Sequence, residues 1–164
     1  MSAPLLVPDS GPLIALARVD LLHLPGLLFS QVLVPSAVWD EVLRQPRGNE
    51  HDRFQAALAS GQLTLLAEPV AAPSPLDDAR LGAGERAAIG LALEREAQIL
   101  IDERRGRQAA SEAGLVVVGT VGLLVRCRQL GLIRTVRPAI DTLRDSGYYL
   151  AESLTQRALA LLGE

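Results

Sequence analysis

The residues of this chain best suited to chemistry are acids placed just after strands or at helix starts. Asp9 follows the apolar run Leu5–Val7 and Pro8, and Asp102 follows the apolar run Gln98–Ile101. If both runs are parallel strands, both carboxylates emerge at the strand ends where open parallel sheets bind ligands. Each could instead cap the helix that follows it. Ser10 is an equally good cap, which would free Asp9. Glu85 opens a helical pattern in which Ala88, Ile89 and Ala92 lie at i+3, i+4 and i+7, so it points along the apolar stripe. A carboxylate there needs a partner, a metal or a raised pKa; the plainer reading is an exposed acid favoured by the helix dipole. Asp40 and Glu41 lie at opposite borders of the apolar face of a 36–43 helix, and periodicity does not choose between them. The set contains neither His nor Cys. Oxygen-only donors suit Mg²⁺ or Mn²⁺, and one or two such cations would offset the mutual repulsion and assist attack on a phosphodiester.

The elements that must position these acids alternate along the chain. Strands are expected at Leu5–Val7, Gln31–Val34, Leu63–Leu66, Gln98–Ile101 and Leu115–Val118. Helices are expected from Ser10, from Ser36 to about Leu43, from Glu50 to Ser60, from Gly84 to Glu96, from Glu103 to Ala113 and from Thr120 to Leu130. Ser36 and Thr120, like Ser10, read as caps. Two more helices follow, from Pro138 to Gly147 and from Glu152 to Leu162. Continuous apolar strands separated by helices imply a parallel sheet covered on both faces. The reading is one α/β domain over 1–164, with five parallel strands and a helical C-terminal extension over 136–164. The long irregular stretch from Ala67 to Gly82, with Pro69, Pro73 and Pro75, is of a length often functional or mobile.

Composition removes several functions. All 16 basic residues are Arg, so a Walker A loop and a pyridoxal Schiff base both lack their Lys. One cysteine, Cys127, excludes an internal disulfide, and with only His23 and His51 a zinc cage has no ligand set. No run is long and apolar enough to span a bilayer and no leader pattern opens the chain, so a cytoplasmic protein without membrane partners is expected. The net charge of −3 gives no global nucleic-acid signature.

The stretch Val7-Pro8-Asp9-Ser10-Gly11-Pro12-Leu13-Ile14-Ala15-Leu16 resembles the opening of PIN-domain proteins, and more narrowly of the DUF3368-like family. The resemblance continues through 32–42, 81–89 and 100–107 and closes on Val118-Gly119-Thr120-Val121-Gly122-Leu123-Leu124. It implies a three-layer α/β/α PIN-like fold and a ribonuclease dependent on Mg²⁺ or Mn²⁺. It often means the toxin of a VapBC-type toxin–antitoxin pair. By this resemblance Asp9, Glu41, Glu85 and Asp102 are the catalytic and metal-holding acids, Asp40 is a surface residue, and Ser10 supports the first acid. The chain departs from the pattern in three places. Gly11 stands where a small hydroxyl residue is usual, and the third acid is Glu rather than Asp. The familiar Thr-x-Asp ending is absent, so the fourth role lies between Asp102 and Glu103.

Arg104, Arg105 and Arg107 follow Asp102 at once and could neutralise RNA phosphates, or form a solvated helix face with Glu103 and Glu112. Arg134 and Arg137 are a weaker pair. Trp39, Tyr148 and Tyr149 read as packing residues, and Cys127 and both histidines as structural or surface residues. The apolar residues of the extension, from Ala139 to Leu162, exceed what two helices laid on a finished sheet need, which points to a homodimer or a groove for a cognate antitoxin. The competing readings are a catalytically inert interaction protein of the same fold and, ranked lower, a phosphoryl carrier. Phosphoryl carriers of this architecture normally use a Lys, which this chain lacks.

Overall fold

Residues Leu5–Pro8 form β1, and three consecutive residues of it, Leu6, Val7 and Pro8, are buried. Successive strand residues point to opposite faces, so burial of consecutive positions means that both faces are covered. The same holds for β2 (Gln31–Pro35), where Val32 to Pro35 are all buried. The remaining strands are β3 (Thr64–Leu66), β4 (Gln98–Leu100) and β5 (Val117–Val118). All pairings are parallel, in the order β3-β2-β1-β4-β5. This is the five-stranded sheet of a three-layer α/β/α fold. The protein is described as a computed structural model over residues 2–67 and 80–164. Most of the stretch expected to be irregular, between 67 and 82, lies outside the described residues.

The helices are α1 (Ser10–Arg18), α2 (Leu24–Leu28), α3 (Ser36–Val42), α4 (Glu50–Ala59), α5 (Ala83–Glu94), α6 (Arg104–Glu112), α7 (Thr120–Gln129), α8 (Arg137–Asp145) and α9 (Glu152–Leu162). The short α2, with Pro25 in its first turn, has no counterpart among the expected helices, because five residues carry too little periodicity. Helix α5 packs across β1, β2 and β4, and α3 packs on α5 and α1. Trp39 on α3 is buried and meets Phe54 on α4 edge to face, with ring centroids 6.1 Å apart. Expected β5 shrinks to two half-buried residues, since it closes the open edge of the sheet and Val116 beside it is exposed.

The strand order places the acids. From β1 the chain steps outward through β2 to β3, then returns to β4 on the other side of β1. The crevice between β1 and β4 is therefore the switch point at which such sheets open a ligand site. The register Pro8↔Leu100 brings the two strand ends level, and the Asp9 backbone N–H donates to the Leu100 carbonyl at 2.8 Å. Asp9 and Asp102 leave the sheet on either side of this junction.

Candidate metal centre

Asp9 occupies the position just before α1, yet its side chain makes no capping bond. Ser10 does not cap either; it is the first residue of α1, and its hydroxyl donates to Glu41 Oε2 at 2.7 Å. Ser36 and Thr120 are likewise first residues of helices, preceded by Pro35 and Gly119. The caps expected from these hydroxyls are thus not made, and two of the three hydroxyls, Ser10 and Thr120, hold acids instead.

Glu41, on the inner border of α3, is half-buried and accepts from the Gly84 backbone N–H at 3.0 Å through Oε1. Asp40 is exposed. The approach to Gly84 is close: a Cβ there would lie 2.5 Å from Glu41 Oε2. Glu85, the next residue, turns one oxygen back onto the Gly82 backbone N–H at 3.2 Å. Its other oxygen, Oε2, is buried without a hydrogen-bond partner. Gly106 on α6 leaves room for it, since a Cβ there would lie 2.7 Å from Glu85 Oε2 and closer still to Ile101 Cδ1. Burial raises the Glu85 carboxyl above its ordinary range, the Gly82 amide opposes this, and the charges of Glu103 and Glu41 add to it.

Asp9 is the most deeply placed of the set, at 6% exposure, and its Oδ1 has no partner. Burial pushes its carboxyl up to about 7. The Ser10 backbone amide pulls the other way, and the charges of Glu85, Glu41 and Asp102 reinforce the rise. These couplings put all four carboxylates within electrostatic reach of one point. Among the described residues no three acidic, histidine or cysteine side chains are drawn together tightly enough to hold one ion as placed. Glu41, Glu85 and Asp102 each lean on hydrogen-bond donors, and Asp9 keeps one oxygen bare.

Asp102 and Glu103 divide cleanly. Glu103 caps α6, accepting from the Gly106 backbone N–H at 3.0 Å, and is exposed. Asp102 receives the Thr120 backbone N–H on Oδ1 at 2.7 Å and the Thr120 hydroxyl on Oδ2 at 2.6 Å. It thus meets the positive end of α7. The Tyr148 hydroxyl also donates to Oδ2. Tyr148, read from sequence as a packing residue, is half-buried beside the acids, and burial and the Asp102 charge hold its phenol well above the ordinary range. No spacing could have announced it, because it lies 46 residues from Asp102.

The basic residues separate in the same way. Arg104 and Arg105 are exposed at the start of α6, and the charge of Arg105 lowers the Glu85 pKa against its other influences. Arg107 is half-buried and donates to the Ile101 carbonyl at 2.9 Å. Arg137 is engaged with the Glu164 backbone. A groove of about 760 Å³ runs beside β5, lined by Arg107, Gly119, Arg126 and apolar residues including Phe29 and Leu130, but by none of the four acids. Only Asp102 borders a neighbouring hollow of about 230 Å³, shared with Arg107, Gly119 and Tyr149. Cys127 is fully buried and burial raises its thiol to about 11, while His23 and His51 are exposed.

The donor chemistry fits a hard divalent cation. Two buried carboxylate oxygens, Asp9 Oδ1 and Glu85 Oε2, carry unused lone pairs, and an unpartnered buried acid is costly without a counter-charge. A parallel α/β/α sheet with carboxylates at its switch point offers a ligand site at the strand ends. The chain belongs to the DUF3368 family, described as a PIN domain, whose model matches residues 5–164; PIN domains are generally nucleases and typically use divalent metal ions. A comparison with curated proteins finds no match. Among the described residues no helix is long and apolar enough to cross a membrane.

Proposed function

We propose that the chain is a metal-dependent endoribonuclease that hydrolyses RNA phosphodiester bonds and serves as the toxin of a VapBC-type pair. The observation that carries this reading is Asp9. It is a buried acid with an unpartnered oxygen at the β1/β4 switch point, in the field of three further carboxylates. Asp9 and Glu85 would hold Mg²⁺ or Mn²⁺ through their free oxygens, with Glu41 and Asp102 completing the charge. When bound, such a cation acidifies water for attack and steadies the leaving oxygen. Ser10 and the Gly84 amide fix Glu41, and Thr120 fixes Asp102, so little reorganisation is left for the moment of reaction. Arg104 and Arg105, exposed at the start of α6, would neutralise phosphates of the RNA strand. A homodimer through the C-terminal helices and a cognate antitoxin complete the reading.

The test is incubation of mixed RNA with the protein, with and without Mg²⁺ or Mn²⁺, beside Asp9→Asn. Cleavage that needs the metal and is lost in the variant supports the assignment. Full-length RNA under all conditions would favour the inert interaction protein. The toxin role is tested separately by the neighbouring gene: a short reading frame with a DNA-binding N-terminus supports it.

A further inference from the structure

Tyr148 lies in the connection between α8 and α9, far along the chain from every acid, yet its hydroxyl ends on Asp102. Three donors meet that carboxylate. Thr120 supplies two, one to each oxygen, and Tyr148 supplies the third, to Oδ2. A carboxylate oxygen accepts through two lone pairs. Both of those on Oδ2 are therefore taken, and one on Oδ1 is left. The plane of the carboxylate is fixed, and the atom through which it can reach a ligand is fixed with it.

The phenol also lies close to the start of α1. Gly11 in the first turn of α1 lies against the hydroxyl, and a Cβ there would come to 3.4 Å from it. Tyr149, by contrast, is 84% exposed, so the segment turns one tyrosine inward and leaves the other in solvent. A methyl group at position 11 would thus just touch the hydroxyl, and a branched side chain there would press on it.

We propose that Tyr148 is a positioning residue for the metal centre, holding Asp102 in a single orientation through its hydroxyl and making the C-terminal extension part of the active centre. This rests on the reading of the acids as metal ligands. Donors that orient ligating carboxylates govern metal affinity, typically by about 10- to 100-fold.

The experiment titrates Mn²⁺ into the full chain by calorimetry, for wild type, Tyr148→Phe and Tyr149→Phe, and measures kcat and KM for RNA at limiting and saturating Mn²⁺. The expected result is Mn²⁺ affinity about tenfold weaker in Tyr148→Phe. Its kcat falls at limiting Mn²⁺ and recovers at saturation, KM for RNA is unchanged, and Tyr149→Phe matches wild type. Should Tyr148→Phe lose the native circular dichroism spectrum, Gly11→Val crowds the hydroxyl from the other side and is expected to show the same weakening. Unchanged Mn²⁺ affinity beside a wild type that binds overturns the role of Tyr148 alone. Tighter binding also overturns it, since the hydroxyl would then be competing with the cation. A wild type that takes up no Mn²⁺ overturns the metal reading, and this role with it.

Discussion

The Ser10 hydroxyl donates to Glu41 across 31 residues of sequence, joining the junction of β1 and α1 to the face of α3. Gly84 grips the same carboxylate from the start of α5. Glu41 is thus held between two helix starts, and both hydrogen bonds are specific to the carboxylate rather than to the packing around it.

That arrangement separates function from stability. In Gly84→Ala the new Cβ would fall 2.5 Å from Glu41 Oε2, the mobile end of a half-buried side chain. Glu41 can swing away to water, giving up its hydrogen bonds from Ser10 and Gly84, and the better helix propensity of Ala, at most about 1 kcal/mol, offsets part of that loss. Unfolding free energy in urea is expected to stay within about 1 kcal/mol of wild type, while metal-dependent cleavage drops about tenfold or more. Equal rates in the two proteins would remove Glu41 from the centre. Gly106→Ala is expected to cost stability as well, about 1–3 kcal/mol, because its Cβ meets the buried Ile101.

Asp9→Asn replaces a buried acid with one unpartnered oxygen by a neutral group of the same shape. Cleavage should fall to background. Stability of the metal-free protein should rise, by at most a few kcal/mol, since a raised carboxyl pKa of about 7 marks a charge the fold opposes at neutral pH. Thermal unfolding reads the second effect and RNA cleavage the first. A large loss of stability would instead assign Asp9 to the start of α1.

The pH dependence follows from the same group. Burial pushes the Asp9 carboxyl up to about 7 from its ordinary 3.8. Between those values the folded chain keeps a proton that the unfolded chain has released, so this group favours the fold most at low pH. Its contribution shrinks as pH rises and is gone above about 7. Glu85 is shifted in the same direction. Cation binding needs both acids deprotonated, so the rise in melting temperature produced by Mn²⁺ should grow steadily from pH 5 to pH 8. A rise of the same size at every pH would place the metal on other groups.

Much of this site was legible because strands, helix starts and acids are local features. Asp9, Asp102 and Glu85 could be placed from apolar runs and helical spacing alone, and the alternation of elements gave the parallel sheet. What spacing could not show are interactions that close over long separations. Ser10 and Thr120 looked like helix caps because their local sequence suits that use, yet the carboxylates that compete for their hydroxyls come from other elements. Choosing Glu41 over Asp40 took the family resemblance, because both border the same apolar face. Tyr148 was invisible for the same reason that it is informative: the α8–α9 connection has no periodic signature.

Arg104 and Arg105 offer a test of RNA engagement that leaves the fold alone, since both are exposed. Replacing the pair by Ala should weaken RNA binding at low salt. The dependence of binding on salt should flatten by about 0.7 for each phosphate of a single strand that the variant no longer neutralises. Stability should change by less than about 0.5 kcal/mol. Arg107→Ala is expected to behave differently, lowering stability, because its guanidinium supports the Ile101 carbonyl beneath the site. Fluorescence anisotropy over a salt series separates the two. An unchanged slope in the double variant would move the phosphate-binding residues elsewhere.

The C-terminal helices divide their apolar residues between two destinations. Ala139, Ile140 and Leu143 on α8, and Ala158 and Leu159 on α9, are buried within the chain, with α9 packed on α7. Leu154 and Leu161 are not: they are 43% and 68% exposed, seven residues apart, and so lie on one face of α9 two turns from each other. Full burial of a leucine is worth roughly 1.5–3 kcal/mol, and a symmetric interface counts each residue twice. A pairing of α9 with its copy is therefore within reach of this stripe. Light scattering at micromolar concentration should give a dimer for wild type. Leu154→Glu with Leu161→Glu should give a folded monomer, because the new charges face one another across the two-fold axis. A monomeric wild type contradicts the pairing, and a double variant that stays dimeric moves the interface off α9.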